Sequence, residues 1–324
     1  MEMGRLLHVC TSTKTGTAKH EVRSANLLAD YGMEGDAHAG GWHRQVSILA
    51  HEHIEYMRKK GLKLSPGAFG ENLVIDGVSV DEIGAGTHLR IGPALLQMTQ
   101  VGKVCHARCA IFHKTGECIM PRKGLFAQVL EGGEIHPGMA VDVVLRVERS
   151  TLQAAVITVS GRCSADHTIQ TARPAVADLL RNELNARIAW TKVVPDEVSE
   201  IAKALEDFSE RGVDVILTVG RTGPHLRDVT PEATRKVLDR EFPGLAEKMR
   251  AASAAQTPNA LLSRAVAGIR AATLIVNLCG SKEGSVENLR AILPIIPHAI
   301  KIIRKEGLHK GSNSGRTIRI ENAN

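Results

Sequence analysis

Aromatic residues are nearly missing from this 324-residue chain: two Trp, two Tyr and five Phe, 3% in all. Aliphatic side chains must therefore build its cores, and there are too few rings to form the stacking platforms that hold single-stranded nucleic acid. No apolar run reaches the length of a membrane span, so no membrane crossing is expected. The opening MEMGRLLHVC lacks an extended apolar stretch ahead of a cleavage site and is not read as a signal peptide. Six cysteines without a small disulfide-dense scaffold fit free thiols in a reducing, cytoplasmic compartment.

What is present is ordinary in bulk and uneven in placement. The apolar fraction of 43% and charged fraction of 23% are those of a globular chain. The length suits two domains of about 150 residues, each large enough to fold without disulfide or metal staples. The net charge of +6 is carried by the second half: residues 1–145 hold 15 basic and 15 acidic residues, leaving 26 and 20 for the rest. From Lys301 on there are six basic and two acidic residues. A basic terminus can attract phosphates, acidic partners or nucleic acid, or simply aid solubility; no helix-turn-helix or RNA-motif spacing supports the nucleic-acid reading. Ten of the 14 histidines and four of the six cysteines lie before residue 145. The N-terminal half is thus the one equipped for metal or sulfur chemistry.

Residues 1–145 read as mostly β, with short apolar runs at Gln45–Leu49, Glu71–Ile75, Thr87–Ile91 and Leu95–Val101 between Gly and Pro punctuation. This pattern predicts a barrel or sandwich. One helix is expected, HEHIEYMRKKG, with basic residues in its last turn and Gly61 after it. The pattern changes near Asp142–Thr151. Strands at Leu152–Val159, Val193–Val194, VDVILTVG and TLIVNL alternate with helices expected at Ala175–Leu184, Val198–Glu210, Pro231–Arg240, near Asn259–Ala267, and at Val286–Ile296. Such alternation predicts a three-layer α/β domain with a mainly parallel sheet. The domains are drawn at 1–146 and 150–304, with 305–324 as a basic flexible tail.

The sharpest local feature is VDVILTVGRTGPHLRDVTPEATRKVL. A buried strand runs into Gly220-Arg221-Thr222-Gly223 and then into a helix with Thr230 as candidate N-cap and Pro231 at the first helical position. Glycines at a strand's C-terminal end let backbone N–H groups approach an anion, and ligands of open α/β sheets bind at that edge. Arg221, Arg227 and Asp228 follow, and a carboxylate beside a phosphate cradle is what Mg²⁺ takes. A second turn of the same kind, Gly280-Ser281 with Gly284, sits ahead of a helix whose N-terminus can hold an anion. The plainer reading makes both of them tight strand-to-helix turns.

VILTVGRTGPHLRDVTPEA resembles the signature of the MogA/MoaB molybdopterin-binding fold, usually written TGGTG…RDxTPEA, and AQTPNALLSRAVAGIR and TLIVNLCGS extend the resemblance over about 152–300. The resemblance implies binding of molybdopterin, with Gly220, Arg221, Thr222, Gly223, Arg227, Thr230, Glu232, Gly280 and Ser281 around it. It also implies adenylylation with Mg-ATP, Asp228 acting in catalysis and holding Mg²⁺, and a homotrimer. The chain departs from the pattern: Gly161 stands for the first acid, Thr171-Ala172 lies near the usual Ser-Gly position, Arg221 stands for a small residue, and Cys279 and Lys282 for prolines. These departures leave phosphate binding better supported than adenylyl transfer.

In the first half, GMEGDAHAGGWHRQVSIL carries Glu34, Asp36, His38, His43 and Arg44, and VGKVCHARCAIFHKTGEC carries Cys105, His106, Cys109, His113 and Cys118. Three readings of the cysteines compete. One is a zinc site from Cys105, Cys109, Cys118 and a histidine, although the spacing lacks a paired two-residue knuckle. The second is a reactive thiol at Cys105, where Lys103, His106 and Arg108 favour thiolate. The third is an inert buried cysteine. GMEGDAH, HRQVSIL, PGAFGENL and GLFAQVLEGGEIHPGM, in this order over about 1–145, resemble the MOSC domain of molybdenum-cofactor sulfurases. That resemblance implies a β-barrel-like fold and a key thiol at Cys105 that carries persulfide or ligates molybdenum. Arg44, Lys103, His106 and Arg122 would then hold the anionic pterin phosphate, or serve only as surface charges. The whole chain reads as a molybdenum-cofactor biosynthesis or maturation protein, with molybdoenzymes or other biosynthesis proteins as partners. The second reading is a non-catalytic cofactor carrier.

Overall fold

The computed structural model describes residues 3–103, 118–161 and 167–310, the side chains of 167–170 and 305–310 excepted. The chain divides into two compact units, Met1–Thr151 and Leu152–Asn324. Among the described residues no helix is long and apolar enough to cross a membrane.

Unit 1 contains β1 (Met3–Thr11), β2 (His20–Val22), β3 (Ala25–Leu28), β4 (Gly32–Met33), β5 (Val46–Ala50), α1 (His51–Lys59), β6 (Leu73–Asp76), β7 (His88–Ile91), β8 (Ala94–Val101), α2 (Met120–Lys123), β9 (Leu125–Glu131), β10 (Gly133–Ile135) and β11 (Ala140–Leu145). Seven strands in the order β11-β7-β8-β9-β5-β6-β1 close on themselves through β1–β11 pairing, and β2 extends from β1. Closure removes the open strand edges that would otherwise template aggregation. Strands β10, β3 and β4 form a small separate sheet.

Alternation explains the closure. Along β8, Ala94, Leu96 and Met98 join the same core as Leu89 and Ile91 of β7. Strand β5 is buried at all five positions because it has two covered faces. Val46, Ile48 and Ala50 face the barrel core. Leu49 instead packs with Ile54 and Met57 of α1. Ser47, the other inner position of that second face, is buried with its hydroxyl donating to Gly70 O at 3.1 Å. Each of Ile54 and Met57 contributes roughly 1.5–3 kcal/mol by burial.

One buried polar cluster supports the loop after β4. Asp36 and Lys19 form an ion pair whose side chains are both 0% exposed. The Asp36 carboxylate also accepts from the Ser12 N–H (3.1 Å), Asn72 Nδ2 (3.1 Å), Thr11 Oγ1 (3.2 Å) and the His38 N–H (2.9 Å). Burial pushes this carboxyl up, but hydrogen bonds from His38 and Lys19 outweigh it and hold it well below the usual carboxylate range. Nearby, burial pushes the Cys10 thiol up to about 12, so Cys10 stays protonated and inert at neutral pH.

Unit 2 contains β12 (Gln153–Val159), α3 (His167–Leu184), β13 (Arg187–Val194), α4 (Val198–Glu210), β14 (Val215–Val219), α5 (Thr230–Val237), β15 (Arg240–Glu241), α6 (Pro243–Ala254), β16 (Ala267–Arg270), β17 (Thr273–Leu278), α7 (Lys282–Ile292) and α8 (Ile296–Lys310). The sheet order is β13-β12-β14-β17-β16-β15. The first four strands are parallel, and β16 and β15 add antiparallel at one edge. Successive residues of β12 feed opposite faces. Ala154 and Val156 pack with α3, α6, α7 and α8. Ala155, Ile157 and Val159 pack with α4 and α5. Helix α4 is a one-faced helix, burying Ile201, Ala202, Ala204, Leu205 and Phe208.

Several sequence expectations are corrected here. The helix expected at Pro231–Arg240 stops at Val237, and β15 follows it. The helix expected near Asn259–Ala267 is a short 3₁₀ turn, Pro258–Leu262, followed by β16. Helix α6 was not anticipated. Helix α3 starts at His167 and carries Pro174 inside it. Helix α8 runs through Lys310, so residues 305–310 of the expected tail are helical in backbone; 311–324 lie outside the described residues.

Candidate functional site: the C-terminal edge of the unit 2 sheet

Four parallel strands deliver their C-terminal ends to one sheet edge, because their registers align: Val159 sits beside Val194, and Val219 beside Thr158 and Leu278. From β12 the chain moves out to β13 and then crosses back to β14 on the other side. Ligands of open α/β sheets bind at such a reversal. Gly161 follows β12, Asp196 follows β13, Gly220–Gly223 follows β14, and Cys279–Ser281 follows β17.

A cavity of about 480 Å³ brings the two Gly-rich turns together, lined among others by Arg221, Thr222, Gly223, Asp228, Gly280 and Ser281. That volume is in the range, roughly 300–1,000 Å³, that takes cofactor-sized ligands. Arg250, Ser253, Asn259 and Leu262 add a wall from α6 and the 3₁₀ turn. Ser281 caps α7, its hydroxyl accepting from the Gly284 N–H at 3.2 Å. Gly284 therefore lies within the first turn of the helix and not ahead of it. A Cβ there would meet Cys279 Sγ at 2.5 Å, so this position has no room for a side chain. Cys279 lines the cavity as a neutral thiol, since burial raises it against a hydrogen bond with Ser281.

Three of the expected binding residues support the turn from below. The Gly220 N–H donates to Leu278 O (3.1 Å), and Gly220 O accepts from the Thr230 hydroxyl (2.9 Å). Thr230 is the first residue of α5, not its cap, which is Val229. Glu232 pairs with Arg264. Burial pushes Glu232 up, but the Arg264 hydrogen bond prevails and holds it low.

Two functional residues escaped the sequence reading. Arg264 ties the whole loop together: its Nε donates to Gly223 O (2.9 Å), its Nη2 to Asp228 O, and its backbone N–H to Thr222 O (2.8 Å). Asp196 is the other. Its side chain is 5% exposed, and it faces Arg227 (Nε–Oδ2 3.1 Å) and Arg221 (Nε–Oδ2 3.5 Å). Arg221 also lies 3.8 Å from Asp228 Oδ1. The signal available in the sequence was an acid directly after a strand, in VVPDE.

Mg²⁺ takes oxygen ligands at about 2.0–2.1 Å in octahedral geometry. Asp228 and Asp196 both face the Arg221 guanidinium. Among the described residues, no group of three or more His, Cys, Asp or Glu side chains is placed to hold a metal ion. With the Arg221 guanidinium 3.8 Å from its Oδ1, Asp228 already faces a cation of the chain.

In unit 1, Cys105, His106, Cys109 and His113 lie outside the described residues. Of the cations expected around them, the Arg44 guanidinium sits 4.9 Å from the Trp42 ring centroid and 5.9 Å from that of Phe126. The Lys103 ammonium sits 5.8 Å from the Phe126 centroid. Two cations thus share one ring. Arg122 lies on α2, its carbonyl accepting from Arg149.

Residues 155–298 match the family model described as "Probable molybdopterin binding domain", and residues 35–142 match the MOSC domain. Over 155 residues the chain is 38% identical to a Helicobacter pylori protein named molybdopterin adenylyltransferase, covering 47% of this chain and 88% of that one. The chain belongs to the molybdopterin-binding family. This family member carries its MOSC domain ahead of the shared domain. It is also 38% identical over 160 residues to gephyrin of Dictyostelium discoideum, covering 47% of this chain but only 22% of gephyrin. A solved structure titled as the molybdopterin biosynthesis enzyme MoaB from Thermus thermophilus aligns with 44% identity. It covers 48% of this chain and 98% of that one, with a TM-score of 0.45.

Proposed function

We propose that unit 2 binds molybdopterin, the phosphate held in the cavity between the β14 and β17 turns, and that the chain holds this cofactor during molybdenum-cofactor biosynthesis. The observation that carries this reading is one cavity lined by both Gly-rich turns at the C-terminal edge of the parallel strands β14 and β17. Arg221 and Arg250 at the wall favour an anion, and the apolar surface of Leu262 and Ala265 suits a ring system. Unit 1 then handles the cofactor's sulfur through Cys105, with Arg44 and Lys103 attracting the same anionic ligand. Joining both sites on one chain raises the local concentration of a shared intermediate.

Adenylyl transfer from ATP is the second reading, favoured by the likeness to a protein named molybdopterin adenylyltransferase. In it the chain's own cations offset charge on the transferring phosphate. Anaerobic titration of molybdopterin into the full chain, followed by ATP and Mg²⁺, separates these readings. Saturable binding without AMP transfer is the expected result. AMP transfer moves the assignment to the second reading, and no binding removes both.

A further inference from the structure

Arg221 carries a geometry that a phosphate-binding turn does not need. It is a non-glycine residue at φ +57°, in the left-handed region that L side chains adopt at a cost. Such strain persists only where the surroundings impose it, and it marks a functional constraint. The constraint is visible in the side chain's position. The guanidinium is 3.5 Å from Asp196 Oδ2 on one side and 3.8 Å from Asp228 Oδ1 on the other. The Asp196 side chain is more than nine-tenths buried, and it also faces Arg227, whose Nε lies 3.1 Å from Oδ2 and whose Nη2 donates to Oδ1 at 3.2 Å. Gly161 makes the space. A Cβ at that position would stand 3.1 Å from Arg221 Nη2, 3.1 Å from Arg227 Nη2 and 3.4 Å from Asp196 Oδ2. A Cβ at 161 would therefore crowd the tips of Arg221 and Arg227 equally.

We infer that Arg221 is a built-in cation: it occupies the position between Asp196 and Asp228 that a divalent ion would otherwise take, so this site binds its phosphate ligand without Mg²⁺. The ligand rests on the phosphate-site reading above, but the cation arrangement stands on Asp196, Arg221 and Asp228, with Arg227 as a second, more exposed cation on Asp196. A fixed unit charge within 4 Å of both carboxylates repels an incoming dication and neutralises the acids that would attract it. Arg is suited to this because it stays charged and its fork spans two oxygens at once. A side chain also cannot dissociate, so occupancy does not depend on the free Mg²⁺ concentration.

Two measurements on the full chain test this. In the first, Mn²⁺ is titrated and followed by its electron paramagnetic resonance signal, in the wild type, in R221G and in R221G/D196N. Glycine suits the positive φ, so R221G removes the cation while relieving the backbone. The expected result is no Mn²⁺ bound by the wild type, at least about tenfold tighter binding by R221G, and loss of that gain in R221G/D196N. Wild-type Mn²⁺ binding abolished by D196N overturns the inference, as does an R221G variant that binds no Mn²⁺. In the second, molybdopterin binding to the wild type is compared in EDTA and in Mg²⁺. Equal affinity is expected, and a drop of more than about tenfold in EDTA, the size of one lost charge contact, contradicts the inference. Absence of molybdopterin binding in both buffers overturns the cavity assignment instead, and the Mn²⁺ titration still decides the cation question.

Discussion

Replacing Asp36 with alanine is expected to destabilise unit 1 by about 3–5 kcal/mol, the usual cost of breaking a buried ion pair by removing one partner. Lys19 would be left with its charge buried, its side chain being 0% exposed. The Ser12 and His38 N–H groups and the Asn72 amide would lose their acceptor. Those donors come from the residue after β1, the loop before β5 and the residue before β6, so the variant should loosen one end of the barrel. The double variant Lys19→Met with Asp36→Leu should recover only the part that comes from the unpaired Lys19 charge, because the Ser12, His38 and Asn72 donors still lack their acceptor. The pH dependence has a definite sign. Asp36 is held below its unfolded value, so its contribution is fully present above the unfolded carboxylate range, near pH 4, and is lost as pH falls below it. Urea unfolding at neutral pH, followed by a barrel probe such as Trp42, measures the effect. A change within 1 kcal/mol, on the scale of an ordinary surface substitution, would show that the pair contributes little.

Replacing Arg264 with alanine is expected to weaken molybdopterin binding by about 10–100-fold, the scale on which small displacements of positioned groups act. Arg264 lines no part of the cavity. It clamps the carbonyls of Gly223 and Asp228, and it pairs with Glu232. Without it, the loop between β14 and α5 loses the bonds that fix the Arg221–Asp228 spacing. Its side chain is 40% exposed, so the global stability cost should be small and the melting temperature little changed. A binding loss that tracks a large fall in melting temperature would make Arg264 a folding residue only. Unchanged affinity would remove it from the site.

How much of this was legible in the sequence depends on the range of the contacts. Helix α4 was read to its ends because its burial stripe is local. Three of the four parallel strands, β12, β14 and β17, were read as apolar runs, since strands covered on both faces need little else; the edge strand β13 was read only at Val193–Val194, because most of it is not buried. The β14 turn was legible because glycines, Pro231 and a following helix all point the same way. Long-range contacts were not legible. Strand β16 looks helical as ALLSRAVAG, but antiparallel pairing of Ala267–Arg270 with β17 overrides that local pattern. Asp196 lies 25 residues before Arg221 in the chain, and only the order β13-β12-β14 brings them together. Thr230 has the composition of an N-cap, yet its hydroxyl is taken by the Gly220 carbonyl. Gly161 and Arg221 were seen as two separate departures from a signature; the structure sets them side by side.

The central claim is that one ligand spans the β14 and β17 turns. Amide hydrogen exchange of the full chain, with and without molybdopterin, tests it most directly. Binding between the turns should slow exchange at Thr222–Gly223 and at Gly280–Ser281 together, while β12 strand amides, already buried in the sheet, stay unchanged. Protection at neither turn, or at residues of unit 1 alone, would contradict it.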